Sequence, residues 1–274
     1  MKKTILLSFI VLIISAINVF AENTQIRIAT YNIRGDKPED GPSQWVFRKD
    51  SLCKIMFEND FDIVCFQEAV KEQLEDVLNL TPYSFVGIRG LFNPILYKSD
   101  KYELLHTETF WLSETMEVNS KGWDGKYDRY CTWAKFRERL SGRIFFVFNT
   151  HLDHRGVIAR SAAATLILQQ IKRFVKDEPV FLCGDMNSKD DTDAYQTFTS
   201  EFLDSRRLTA LIYGPEGTAH NFGKVKPVKI DYIFVNNKIQ VVDYYTIDEE
   251  YGNGFYPSDH YPVFINAILK NGNE

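Results

Sequence analysis

The 274-residue chain lacks an excess of positive charge: 32 lysines and arginines face 37 acids, a net charge of −5. No basic stripe marks it as a tight binder of polyanions. Cysteine is scarce. The four, Cys53, Cys65, Cys131 and Cys183, show no CxxC or Cys/His spacing, so nothing points to zinc. Three of them lie in strand-like runs and read as free, buried, small hydrophobes. Beyond residue 25 there is no linker, repeat or low-complexity tract, which favours one continuous domain over an array. Beyond residue 21 no apolar run is long enough to cross a bilayer, so no transmembrane segment is expected in the mature chain.

What is present begins with a distinctive N-terminus. Lys2 and Lys3 precede an apolar run from Ile5 to Ile17, and Val19 and Ala21 provide small residues for cleavage. Residues 1–21 read as a secretory signal peptide and 22–274 as a single catalytic domain. The expected destination is periplasmic or extracellular. Losing the leader removes two lysines and no acid, leaving the mature chain more acidic still.

The remainder is rich in strands with a few helices. Strands are expected over 25–33, 62–67, 83–89, 94–99, 102–113, 130–138, 143–152, 179–185, 227–236, 239–247 and 261–269. Helices are expected over 44–60, 71–80, 156–177 and 192–211. The order is not a regular βαβ alternation, and two stacked mixed sheets flanked by helices accommodate it.

Several apolar runs deliver polar groups at their ends: Asn32 in "IATYN", Glu68 in "DIVCFQE", and Asn149, His151 and Asp153 in "IFFVFNTHLD". Asp185 and Asn187 follow in "VFLCGDMN", Asp231 in "VKIDYIFV", and Asp259 and His260 in "PSDHYPV". Each alone is an ordinary turn or capping residue. Asp231 is harder to dismiss. A carboxylate inside an apolar strand costs several kcal/mol unless paired, which predicts a cation or a histidine from another element beside it. Together these residues describe a site. Carboxylate and amide oxygens without thiolates favour Mg²⁺, with Mn²⁺ or Ca²⁺ as alternatives. Histidines beside acids suit proton transfer. A hard cation, His and Asp-x-Asn together suit attack of water on phosphorus.

In this order, "TYNIRG", "CFQEA", "FNTHLDH", "FLCGDMNS", "KIDYIFV" and "PSDHYPV" resemble the endonuclease/exonuclease/phosphatase superfamily, whose members include deoxyribonuclease-like enzymes, inositol phosphatases, sphingomyelinases and deadenylases. The resemblance covers residues 26–268. It implies an α/β, four-layered sandwich in which two mixed, mostly antiparallel β-sheets pack face to face between helices. It also implies metal-dependent phosphoester hydrolysis. By the same resemblance Asn32 and Glu68 hold metal, Asp259 orients His260 as general base, and Asp231 holds His151. Asp185 and Asn187 align water and stabilise the transition state. Arg34 stands where some nucleases of the superfamily carry an acid, which weakens a two-metal scheme built on that position.

Further substrate contacts are expected from Arg129, His220 and Asn221. His154 and Arg155 are candidates for the rim, and Trp45, Phe92 and Trp123 for stacking against a sugar or base. The expected partner is a phosphate-ester substrate, either nucleic acid or a small phosphoester. No feature indicates a stable protein partner. The competing reading is a non-catalytic binding module that kept the fold. It predicts damage among the polar strand ends, and none is visible in the sequence.

Overall fold

The computed structural model describes residues 24–88, 92–252 and 254–270; the expected signal peptide lies outside the described residues. In chain order the elements are β1 (Thr24–Asn32), α1 (Trp45–Glu58), β2 (Ile63–Gln67), α2 (Lys71–Leu80), β3 (Ser84–Val86), β4 (Ile95–Tyr97) and β5 (Tyr102–Trp111). They continue with β6 (Tyr130–Glu138), β7 (Ile144–His151), α3 (Val157–Phe174), β8 (Val180–Asp185), α4 (Asp193–Thr199) and β9 (Leu203–Asp204). The chain then forms β10 (Ile212–Tyr213), β11 (Asp231–Val235), β12 (Ile239–Thr246) and β13 (Val263–Leu269). Single 3-10 turns occupy Pro38–Ser43 and Ser205–Arg207.

The strands form two mixed sheets. A seven-stranded sheet runs β10-β12-β13-β1-β2-β4-β3, and a six-stranded sheet runs β5-β6-β7-β8-β11-β9. Most neighbours are antiparallel; β1 with β2, β7 with β8, and β10 with β12 are parallel. Three apolar clusters build the layers. One fills the space between the sheets, with Ile28, Ile63, Phe145, Phe181, Ile233 and Ile265 among its members. A second packs α3 and α4 on the six-stranded sheet, and a third packs α1 and α2 on the seven-stranded sheet. The result is the expected four-layered α/β sandwich. β2 is buried at all five residues, which explains its nearly all-apolar sequence: both of its faces meet a layer. All four cysteines are buried free thiols.

One polar bracket crosses the core. Gln67 Nε2 donates to Asn149 Oδ1 at 2.8 Å, and Asn149 Nδ2 donates to the Phe66 and Pro94 carbonyls at 2.7 and 3.0 Å. Both side chains are fully buried. The bracket joins β2 of one sheet to β7 of the other, immediately below the residues that end those strands.

The expected helix over 192–211 is shorter. α4 ends at Thr199, and the chain turns to add β9 to the edge of β11. Buried Asp204 explains the change. It takes bonds from Lys229 Nζ at 2.6 Å and Tyr195 Oη at 3.1 Å, and its Oδ1 caps the following turn at the Arg206 N–H. These tertiary partners outweigh local helix preference.

Replacing Asn149 by Leu removes the three hydrogen bonds of the bracket, although Gln67 Nε2 keeps Thr30 Oγ1 and the Cys65 carbonyl, and the Pro94 carbonyl keeps the Phe66 N–H. Each lost bond costs about 1 kcal/mol. The variant is expected to lose about 3 kcal/mol or more, measured by chemical denaturation, and to keep the secondary structure seen by circular dichroism.

Candidate active site

The sheet registers gather the polar strand ends. In the parallel β7–β8 pair, His151 lies opposite Asp185, and in the antiparallel β8–β11 pair, Asp185 lies opposite Asp231. Across the sandwich, β1 and β2 end side by side at Asn32 and Gln67, with Glu68 next. Gly184 makes this possible. It sits at φ 151°, and an added Cβ would fall 2.0 Å from the Thr150 carbonyl oxygen, so β8 approaches β7 too closely for any side chain there. Two site residues adopt left-handed backbone, Glu68 at φ 62° and Asn187 at φ 45°. Such strain costs about 1–3 kcal/mol per residue and is held by its surroundings. Here the Asn187 N–H donates to Asp185 Oδ1 at 2.9 Å, and its amide nitrogen donates to the Leu152 carbonyl at 2.9 Å.

Asp185 is the hub. Its Oδ2 receives Asn32 Nδ2 at 3.1 Å and lies 3.3 Å from His151 Nε2 and 3.9 Å from His260 Nε2. Asn32 Nδ2 also reaches Glu68 Oε1 at 3.3 Å, and Glu68 Oε2 accepts the Gly35 N–H at 3.1 Å. His260 Nδ1 lies 2.8 Å from Asp231 Oδ2. A cavity of about 700 Å³ opens onto this group and is lined by Glu68, His151, Asp185, Asn187, Asp259, His260 and Arg129 among others. Asn32 and Asp231 stand behind the lining and touch it through Asp185 and His260.

The pairings differ from those expected. Asp231 partners His260 rather than His151, and His151 faces Asp185. Asp259 does not orient the His260 ring; its Oδ2 lies 3.5 Å from Arg34 Nη1. Arg34 itself is held by a two-pronged contact to Asp40, at 3.0 and 2.9 Å. His220 and Asn221 do not line the cavity. His220 is fully buried and stacked on Tyr261 at 3.9 Å, and the backbone N–H groups of both residues donate to the Asp259 carbonyl. This loop supports the Asp259–His260 segment from behind. Trp45 is buried on α1 with its indole N–H on Asp76, and Trp123 packs against the outer core beside α3. Phe92, His154 and Arg155 do reach the cavity.

Burial and neighbouring charge set the protonation states. Burial pushes Glu68 upward, but His151 and the Gly35 N–H outweigh it and hold the carboxyl down at about 2. Burial, helped by the Arg129 charge, lowers His151 to about 4, so its ring is neutral near pH 7. Burial opposes charge on His260 too, yet Asp231 raises it well above the ordinary histidine value. Asp185 and Asp259 are raised, chiefly by burial. The chemistry of this donor set suits a hard divalent cation. Glu68 stays ionised, four carboxylates crowd one pocket, and Asp231 Oδ1 is buried without a partner. Two placements are available. Asn32 and Glu68 offer amide and carboxylate oxygens, while Asp185, Asp231 and His260 bring ligand atoms within 4.8 Å of one another.

Two residues that assemble the site were legible in the sequence only as ordinary polar positions. Arg48, on α1, is fully buried. Its guanidinium meets the backbone carbonyls of Ile33, Arg34 and Ser43, and that of Pro257 at 3.0 Å. It ties the segment after Asn32 to the segment before Asp259. Ser258 adds a second tie, its Oγ donating to the Asn32 carbonyl at 2.6 Å. Asp153 accepts four backbone N–H groups at 2.7–2.9 Å, from Lys126, Tyr127, Arg155 and Gly156. Nothing in the local pattern around Arg48 distinguishes it from a solvated helix arginine.

Comparison with known proteins gives the same frame. The profile described as the endonuclease/exonuclease/phosphatase family matches residues 29–260. The chain is similar to the crystal structure of the endonuclease/exonuclease/phosphatase from Bacteroides vulgatus, with 36% identity, TM-score 0.86, and coverage of 90% of this chain and all of that one. It is also similar to a mannosyl-6-phosphatase from Bacteroides thetaiotaomicron, with 30% identity, TM-score 0.85, and coverage of 89% and 99%. The CCR4-Not complex 3′-5′-exoribonuclease subunit Ccr4 of Candida albicans is 24% identical over 84% of this chain, which spans 38% of that protein's length.

Asp153 generates a pH prediction. Burial raises its pKa, but the four N–H donors more than offset this and hold it at about 2. A depressed carboxylate contributes stability that is fully present above its unfolded value, near 3.9, and is lost as pH falls through the folded value. Wild type is therefore expected to lose about 2 kcal/mol between roughly pH 4 and 2 through this group. Asp153→Asn, less stable at pH 7 by a similar amount, is expected to lack that component of the acid limb when denaturation midpoints are plotted against pH.

Proposed function

Because the chain belongs to the endonuclease/exonuclease/phosphatase family, we propose that it is an exported, divalent-metal-dependent phosphoester hydrolase acting on a small phosphorylated molecule. The observation that carries the reading is the convergence of Asn32, His151 and His260 on one oxygen of buried Asp185, within 3.9 Å, at the base of an open cavity. The mannosyl-6-phosphatase relative supports a sugar phosphate or similar monoester, and the acidic charge of the chain favours this over a nucleic-acid polymer. Export rests on the leader-like residues 1–21, and residues 22–274 then form the catalytic domain.

Glu68 and Asn32 are the proposed holders of Mg²⁺, with Mn²⁺ or Ca²⁺ as substitutes. When bound, the cation neutralises the phosphoryl oxygens and polarises phosphorus. The chain's own residues do the rest. Asp231 fixes His260 so that Nε2 faces the cavity, and the raised pKa keeps that ring cationic. An imidazolium is a poor base, so His260 is assigned to the phosphoryl oxygens. Asp185 is the proton acceptor for the attacking water: burial raises its pKa above the ordinary carboxylate value, and Asn32 and His151 orient its Oδ2. Asn187 spends one amide hydrogen on the Leu152 carbonyl and keeps the other for the transition state. His151 is neutral and serves as a hydrogen-bonding contact at the same phosphate. Asp259 balances Arg34 at the cavity edge.

Two outcomes test this. The purified chain is expected to hydrolyse p-nitrophenyl phosphate with Mg²⁺ and to lose that activity in excess chelator; full activity in chelator sinks the metal assignment. Asn187→Ala is expected to lower kcat by about 10²–10³-fold with a smaller change in KM, as for loss of one transition-state donor. A near-normal kcat removes Asn187 from the mechanism.

A further inference from the structure

The cavity is not electrically uniform. Its floor is acidic, with Glu68, Asp185 and Asp259, but one wall is cationic. That wall consists of residues 122–129, which lead into β6, and the turn 153–156 between β7 and α3. Lys126, Arg129 and Arg155 stand on it, and the rings of Tyr127 and His154 lie between them, 5.4 Å apart and inclined at 30°. Arg129 is half-buried beside His151; Lys126 and Arg155 are exposed at the mouth.

The wall is held rigidly. Asp153 joins its two segments through four backbone N–H bonds, and Asp124 Oδ1 takes the Ala159 N–H at 2.7 Å, docking the first segment on α3. None of the three cations forms an ion pair among the described residues. Arg129 Nε is shut off from solvent with no acceptor. An unpartnered buried donor is costly until an acceptor arrives. Among the described residues only Asp128 adds an acid to this side of the lining, and it is exposed. Lys126 and Arg129 lie over the Tyr127 ring, at 5.3 and 5.6 Å, and the Asp153 carboxylate is buried behind the wall; three cations without an ion-pair partner on a fixed backbone, in a chain of net charge −5, still mark a place prepared for an anion.

The proposed metal and His260 already serve the scissile phosphate on the floor. We propose that the wall formed by Lys126, Arg129 and Arg155 is a subsite for a second phosphate, so that the preferred substrate is a compact bisphosphorylated molecule whose carbon skeleton packs on Tyr127 and His154. The assignment rests on the phosphoester-hydrolase reading for which end of the substrate reacts. The 700 Å³ cavity suits a molecule of sugar-bisphosphate size. A nucleic-acid strand would present the same chemistry through its next phosphate.

The test is calorimetry on the full mature chain with Mg²⁺, with Asp185→Asn blocking turnover. The probes are glucose 6-phosphate, glucose 1,6-bisphosphate and a 5′-phosphorylated thymidine tetranucleotide. The bisphosphate is expected to bind about tenfold or more tightly than the monophosphate, the gain from charge-assisted bonds to one further phosphate. Adding Lys126→Ala and Arg155→Ala, both at exposed positions, is expected to bring the ratio of the two affinities close to one. Equal affinities before those substitutions, or a preference that survives them, overturns the subsite. Tighter binding of the tetranucleotide than of the bisphosphate overturns the compact substrate in favour of a nucleic-acid strand. Bisphosphate preference without hydrolysis of any ester by the wild-type chain supports the subsite and overturns the hydrolase reading instead.

Discussion

The site depends on the registration of two sheets that, among the described residues, share no hydrogen-bonded strand pair. The buried Gln67–Asn149 bracket supplies that registration. Apolar packing between sheets is nearly indifferent to small sliding movements, because dispersion and burial have little direction. Hydrogen bonds in a dry interior are directional, and leaving one unmade is costly. Gln67 is one residue before Glu68 and Asn149 two before His151, so fixing their side chains fixes the distance between the acid of one sheet and the histidine of the other. Arg48 and Ser258 add ties within the seven-stranded sheet, joining the loop after β1 to the loop before the neighbouring β13.

With the strand ends fixed, electrostatics decides the rest. Glu68, Asp185, Asp231 and Asp259 are gathered where burial penalises every charge. His260 and Arg34 answer part of it, and a divalent cation held as proposed by Asn32 and Glu68 would answer more. The same crowding separates the two histidines. His151, beside Arg129 and buried, stays neutral, whereas His260, against Asp231, takes a proton. One residue type thus supplies two states at one pH. Around this acidic floor the Asp153 staple organises a wall of opposite sign.

Much of the fold was legible from local pattern. The helices at 45–58, 71–80 and 157–174 and most strands lie within a few residues of expectation, because their periodicity and turn chemistry agree with their burial. The segment after Thr199 failed for a tertiary reason: Asp204, drawn to Lys229 and Tyr195, converts expected helix into an edge strand. The aromatic candidates divided similarly. Phe92 reaches the cavity, while Trp45 satisfies its indole N–H inside the fold.

The sequence by itself determined which side chains stand at the strand ends. A buried strand tolerates polar groups mainly where it leaves the core, so Asn32, Glu68, His151, Asp185 and His260 are marked by the apolar runs beside them. It also determined that Asp231 needs a partner. Only the tertiary structure decided that this partner is His260, that Asp259 faces Arg34, and that His220 and Asn221 support the site without lining it. Those choices turn on the staggering of β8 against β7 and β11 and on the separation of two sheets. They are set by contacts such as that of Ser258 with Asn32, 226 positions apart, which local periodicity does not encode.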